Sequence, residues 1–293
     1  MKVQVYRYDA FTKVKGKGNP AGVIFDADKY TTAEMQEVAR QIGFSECVFI
    51  RSSGKADLQL RYFTPGAEVN LCGHATMASV YSLFKDSDPE GPAICKKVET
   101  NAEIIEVSYN PKLQEVTMTQ SDAQFKPVSC SMADLAACIG LTEDDIDGNY
   151  PVLFGSTGLW TVIVPIKTLE AFARMKPDNK SFPKLFPELP NASVHPICLE
   201  TFREEASVHG RHFSGANTGR IEDPITGTAS GVTGAYYIQY IHPDMESCDI
   251  IVEQGQDAGY DGVVHVWARK EDGAIKVKIA GTASEVCELE AEI

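Results

Sequence analysis

No apolar run in the 293 residues approaches the roughly 18 that a bilayer-spanning helix requires, which argues against a helical membrane protein. Nor is there a signal-peptide pattern: Val3, Val5, Tyr6 and Tyr8 enter directly into an alternating segment, and a cytoplasmic location is the expectation. Basic residues are few. The 27 Lys and Arg stand against 41 Asp and Glu, and a formal charge of -14 repels nucleic acid and anionic membranes, so neither is expected as a partner. The eight cysteines (Cys47, Cys72, Cys95, Cys130, Cys138, Cys198, Cys248, Cys287) contain no CxxC pair and no repeated ligand spacing, which argues against a zinc ribbon and a disulfide framework. They are expected to be reduced, and most of them buried. A dinucleotide fingerprint, a low-complexity tract and a long linker are also missing, so no nicotinamide or flavin site is indicated.

What is present is enough apolar material, 43% of residues, to bury the core of one large domain or two ordinary ones. Thr31 and Glu34 suggest a capping box, and Met35, Val38, Ala39 and Ile42 recur on one face, so residues 31–42 read as an amphipathic helix. Strand-like runs surround it at residues 3–11, 21–25 and 47–50, and Leu58, Leu60 and Tyr62 alternate with polar neighbours. Residues 75–84 (ATMASVYSLF) are weakly polar on every side, the mark of a helix enclosed by sheet. Strand signals return at 104–109 and 115–119. Residues 122–131 then read as a connector before a short helix near 132–139.

The second half repeats this grammar. Strands are expected at 152–154, 160–165, 197–200, 250–253 and 263–268, and helical stretches after Thr168 and near 182–189. A second weakly polar helix begins near Ala229, and a hairpin turn at Glu271, Asp272 and Gly273 leads into a strand over 275–279. Phe63 precedes Cys72-Gly73-His74-Ala75 and one buried helix; Phe213 precedes Thr226-Gly227-Thr228-Ala229 and the other. Two related lobes explain this echo, as does the plain recurrence of small residues before helices. The expected division is an N-terminal lobe over 1–122, to which residues 281–293 return, and a C-terminal lobe over 123–280.

Each Gly-rich junction opens a helix, where unpaired N–H groups and the positive end of the dipole favour a carboxylate. Glycine before a helix also serves tight turns. His74 is open to three readings: general acid, donor to a substrate, or core histidine with its hydrogen bonds met. Cys72 and His74 together are too few for a metal site. Glu46, between Phe44 and the apolar run 47–50, is either an exposed charge at a strand start or a buried carboxylate whose pKa burial would raise. Asp223 before Pro224 reads equally well as a turn residue.

Several segments, in order along most of the chain, resemble the PhzF family of phenazine biosynthesis: Asp9-Ala10-Phe11-Thr12, Gly18-Asn19-Pro20-Ala21, Phe44-Ser45-Glu46, Tyr62-Phe63-Thr64-Pro65, EVNLCGHAT at 68–76 and EDPITGTA at 222–229. The resemblance implies a diaminopimelate epimerase-like α/β (α+β) fold: two pseudo-symmetric lobes, each a barrel-like, mostly antiparallel sheet around a central helix, with the active site in the cleft between them. It implies Glu46 as the proton-transferring residue, His74 and Asp223 as further catalytic residues, and Asn19, Gly73, Gly227 and Thr228 as substrate-binding positions. The implied activity is a cofactor-free isomerase or epimerase acting on a small carboxylate-bearing substrate, without a metal, in a homodimer. Thr228 stands where relatives commonly have serine, and Gly259-Tyr260-Asp261-Gly262 stands where an Arg-Pro-Ser stretch often follows the glycine. Two alternatives remain: a binding or interaction protein that kept the pocket without turnover, and a cysteine-based racemase, for which Cys72 fits one position and Thr226 fails the other.

Overall fold

Alternation of apolar and polar residues shapes the first strand, β1 (Lys2–Ala10), whose Val3 and Val5 are fully buried while Lys2 and Gln4 face solvent. The computed structural model describes residues 1–216, 218 and 220–293. Residues 1–119 with 280–293 form one compact unit, and residues 120–279 form a second.

In the first unit β1 pairs antiparallel with β2 (Asn19–Ile24), which lies parallel to β3 (Glu46–Arg51). The β2–β3 crossover carries helix α1 (Thr32–Ile42). There Thr31 accepts from Glu34 N–H and the Glu34 carboxylate accepts from Thr31 N–H, the reciprocal cap expected from the sequence. Gly43, at φ 73°, ends the helix. Met35, Val38 and Ala39 pack with Val3, Val5, Phe49 and Phe63. The sheet continues through β4 (Leu58–Phe63), with the short β5 (Glu68–Val69) beside it. Helix α2 (Gly73–Phe84) follows, buried from His74 to Val80, and it packs against β1, β2 and β3. Beyond it, β6 (Ile94–Glu99) lies parallel to β4 and is followed by the antiparallel β7 (Ile104–Asn110) and β8 (Glu115–Thr119).

The second unit is likewise sheet around a helix. Strand β9 (Gln124–Pro127) pairs with β10 (Leu153–Ser156), so the stretch read as a connector contains a strand; its alternation is too short to register as a pattern. After α3 (Met132–Cys138) and β10 come β11 (Trp160–Pro165), the short helices α4 (Leu169–Arg174) and α5 (Phe182–Leu185), then β12 (Ser193–Cys198), β13 (Val208–Gly210), α6 (Gly227–Tyr236), β14 (Ser247–Gln254), β15 (Gly262–Glu271) and β16 (Ala274–Gly281). Strand β12 begins and ends earlier than the run at 197–200, because Pro196 and buried His195 are part of it. Asp272 (φ 51°) and Gly273 (φ 78°) join β15 to β16 in the doubly left-handed turn that suits a twisted hairpin. Helix α6 is buried along most of its length and packs against β10, β14 and β15. Its Gly234 leaves no room: a Cβ there would lie 2.4 Å from Val266 Cγ1.

The chain ends with β17 (Ala283–Glu292), which belongs to the first unit and pairs with β1 from Lys2↔Glu292 to Ala10↔Ala283, through a bulge at Arg7/Tyr8. No strand is read from the sequence here, where EVCELEAE at 285–292 is rich in glutamate.

Candidate active site

Glu46 is the first residue of β3, delivered there by the turn through Gly43, Phe44 and Ser45 after α1. His74 is the second residue of α2, which packs against β3. This packing brings Glu46 Oε2 to 3.3 Å from His74 Nε2, with the two side chains 19% and 8% exposed. The approach is within ion-pair distance but out of line for a hydrogen bond, so Oε2 is buried without an aligned donor among the described residues. Ser45 Oγ lies 3.4 Å from the same Nε2, and Cys72 Sγ lies 3.5 Å from Nδ1. The imidazole thus has a carboxylate and a hydroxyl at one nitrogen and a thiol at the other. Glu46 falls between the two readings left open for it, an exposed charge and a buried carboxylate, with its side chain 19% exposed. Asn19, fully buried, opens β2 two positions before Ala21, the register partner of Glu46. Gly73 is the first residue of α2.

Asp223 in the second unit is tied on several sides. Its Oδ2 accepts from Thr226 Oγ1 at 2.5 Å, its backbone N–H donates to His212 O, and its carbonyl accepts from Gln254 Nε2 at 2.8 Å. The Thr226 hydroxyl is turned to Asp223 and does not cap α6, whose first residues are Gly227 and Thr228. Both central helices share this construction. Cys72 and Thr226 are their N-caps, both extended, and neither side chain caps its helix. Thr76 Oγ1 donates to Cys72 O as Ser230 Oγ does to Thr226 O, and Ser79 Oγ donates to Ala75 O as Thr233 Oγ1 does to Ala229 O. The hydroxyls of these buried helices are satisfied by carbonyls one turn back, and the repeat places them at equivalent positions. This pattern favours two related lobes over a chance recurrence of small residues.

A buried polar cluster in the second unit escaped the sequence reading. His209 Nδ1 is 3.1 Å from Glu253 Oε1 and its Nε2 is 3.0 Å from Asp257 Oδ2. Burial works to lower the His209 pKa, but hydrogen bonds to Asp257 and Glu253, and their charges, raise it above 6.5. His195 and His212, with Nδ1 atoms 3.3 Å apart, are pushed the other way, chiefly by burial. Arg211 forms a two-point pair with Glu222. The visible signal was HGRHF at 209–213, where polar residues sit at positions of a buried strand and its continuation. In the segment that departs from the family pattern, Asp261 accepts from Arg203 Nη2 at 2.5 Å and from Gln256 Nε2 at 3.1 Å.

Known proteins place these features in a class. An "uncharacterized isomerase" YfhB of Bacillus subtilis (strain 168) is 48% identical over 284 residues, covering 96% of each chain. The trans-2,3-dihydro-3-hydroxyanthranilate isomerase of Pseudomonas fluorescens is 26% identical over 233 residues, covering 76% of this chain and 75% of that one. The crystal structure of a Bacillus anthracis phenazine biosynthesis protein of the PhzF family superposes with a TM-score of 0.95 at 46% identity, covering 100% of both chains. A mixed α/β fold with these relatives defines an isomerase. The family model for phenazine biosynthesis-like proteins (PhzC-PhzF) matches residues 8–289, and the chain belongs to that family.

Proposed function

We propose that the protein catalyses cofactor-independent proton transfer at carbon on a small carboxylate-bearing substrate, with Glu46 as general base and then general acid. The observation that carries this reading is the half-enclosed Glu46 carboxylate, 3.3 Å from His74 and without an aligned donor on Oε2. Such a carboxylate, buried at Oε2 beside His74 but 19% exposed as a side chain, presents its remaining surface to an acidic C–H. Glu46 takes the proton, the C–H electron pair moves into the adjoining unsaturated system, and Glu46 returns the proton to the same carbon or to another along it. His74, beside Glu46, orients the substrate and stabilises the displaced charge, and Asn19 and the start of α2 at Gly73 supply polar groups and N–H donors for the substrate carboxylate. Asp223, Gly227 and Thr228, in the second unit, keep the roles that the family resemblance implies for them.

The relative from Pseudomonas fluorescens makes trans-2,3-dihydro-3-hydroxyanthranilate the first compound to test. With it and a panel of cyclic and amino carboxylic acids in D₂O, NMR of the wild type is expected to show deuterium incorporation or isomerisation. Glu46→Gln is expected to slow it by about 10²–10⁴-fold, the usual worth of positioned acid–base catalysis. Activity surviving in that variant would remove Glu46 as the base.

A cysteine-based reading has one observation in its favour, the Cys72 thiol 3.5 Å from His74. Its second thiol is missing, since Thr226 occupies the equivalent N-cap. Retention of measurable exchange by Cys72→Ala, alongside its loss in Glu46→Gln, separates the two.

A further inference from the structure

We propose that Glu46, Cys72 and His74 form a binding site for a borderline-soft divalent transition-metal ion, with Zn²⁺ as the ion the donor set fits. In sequence Cys72 and His74 are only two ligands, one residue apart. The third arrives because α2 packs against β3, so that one carboxylate oxygen, the thiol sulfur and one imidazole nitrogen all lie within 4.8 Å of one another.

The spacing of the imidazole and the carboxylate suits one ion, with the thiol within reach of it. Tetrahedral zinc with bonds of about 2.0–2.1 Å to nitrogen or oxygen and about 2.3 Å to sulfur sets N and O ligands about 3.3 Å apart and N and S about 3.6 Å apart. His74 Nε2 to Glu46 Oε2 is already 3.3 Å, whereas Cys72 Sγ lies 4.0 Å from Nε2 and 3.5 Å from Nδ1, so an ion on Nε2 is completed by rotation of the Cys72 side chain from the Nδ1 side of the ring toward Glu46. Mixed O, N and S donors select against Mg²⁺ and Ca²⁺, which take oxygen shells. Three protein ligands leave the fourth position for water, reached past Glu46, whose side chain is 19% exposed. On binding, the Cys72 thiol gives its proton to solvent, and affinity therefore rises with pH.

The ion is held whether or not Glu46 is the base of a reaction. If it is, a metal-occupied Glu46 cannot take a proton, and Zn²⁺ is a reversible inhibitor relieved by a chelator.

The test is a titration of chelator-treated full-length protein with Co²⁺ alone, read by absorbance. The expected result is a near-ultraviolet thiolate-to-cobalt band with visible bands of four-coordinate Co²⁺, saturating at one ion per chain and bleached by Zn²⁺. Cys72→Ser is expected to lose the near-ultraviolet band; serine is a favoured helix N-cap, so α2 keeps its start. His74→Ala is expected to weaken Co²⁺ binding at least tenfold, and serves independently should Cys72→Ser fail to fold. No thiolate band in the wild type at a large excess of Co²⁺ would overturn the proposal. So would a band undiminished in Cys72→Ser, which would place the ligand at another cysteine, or Co²⁺ affinity unchanged in His74→Ala.

Discussion

His209 shows how a single buried residue carries a pH dependence. Burial opposes its charge, but Asp257 and Glu253 on its two nitrogens overcome that opposition and raise its pKa above 6.5. A group whose pKa is raised on folding contributes stability that is fully present below its unfolded value and is lost as pH rises through the folded value. The partner acid behaves conversely. Asp257 is pushed up by burial but is brought below 3.8 by its bond with His209 and by the nearby charge of Arg211, so its share is present above that value and lost as pH falls. His209→Gln keeps hydrogen-bonding capacity and removes the charge. Urea denaturation is therefore expected to show the largest stability gap between wild type and this variant at about pH 6, and a smaller gap at about pH 8.5. An equal gap at both would mean that His209 is neutral in the folded protein. His195 and His212, held below their usual range mainly by burial, oppose this trend on the acid side; the His212 share is common to both proteins, whereas the charge of His209 adds to the lowering of His195 and leaves with it in the variant.

At the scale of elements, legibility follows the length and punctuation of the pattern. Helix α1 was readable because its cap, its apolar face and its terminal glycine agree. The two central helices were readable because they are only weakly polar on every side, with small hydroxyl residues and no charged ones, as enclosure by sheet requires. Strand β9 was not, because four residues do not establish a period of two. The glycines of α6 could be seen, but their purpose could not, since it lies in the strand that α6 packs against. A Cβ at Gly234 would meet Val266 Cγ1 at 2.4 Å and Val266 Cβ at 3.3 Å. Gly234→Val must push helix and strand apart and is expected to cost about 1–3 kcal/mol, the usual penalty of an overpacked core. Equilibrium denaturation measures it. An unchanged midpoint would mean that α6 and β15 separate freely.

For the whole molecule, what the sequence conceals is which distant segments meet. Glu46 and His74 were each suspect alone, yet their 3.3 Å approach depends on β3 and α2 packing together. The histidine cluster depends in the same way on strands from separate stretches of chain. The largest such case is β17. Its acidic outer face hides an alternation in which Ala283 and Ala291 are buried while Glu288 and Glu290 face solvent, Glu290 paired with Lys2. Every residue of β1 has its register partner in β17, and β1 also holds β2, which in turn lies beside β3 and Glu46. Removing residues 283–293 would strip one edge of β1 of its hydrogen bonds and uncover Val3 and Val5. The truncated chain is expected to lose hydrogen-exchange protection throughout β1, β2 and β3, and with it proton exchange on substrate and the cobalt signal of Glu46, Cys72 and His74, although none of these residues is deleted. Full-length and truncated proteins compared by hydrogen exchange with mass spectrometry decide the point. Protection of β1 to β3 at wild-type levels would mean that the first unit folds without its last strand and that the tail is an ornament of the sheet; loss confined to β1 would place the boundary of cooperativity between β1 and β2.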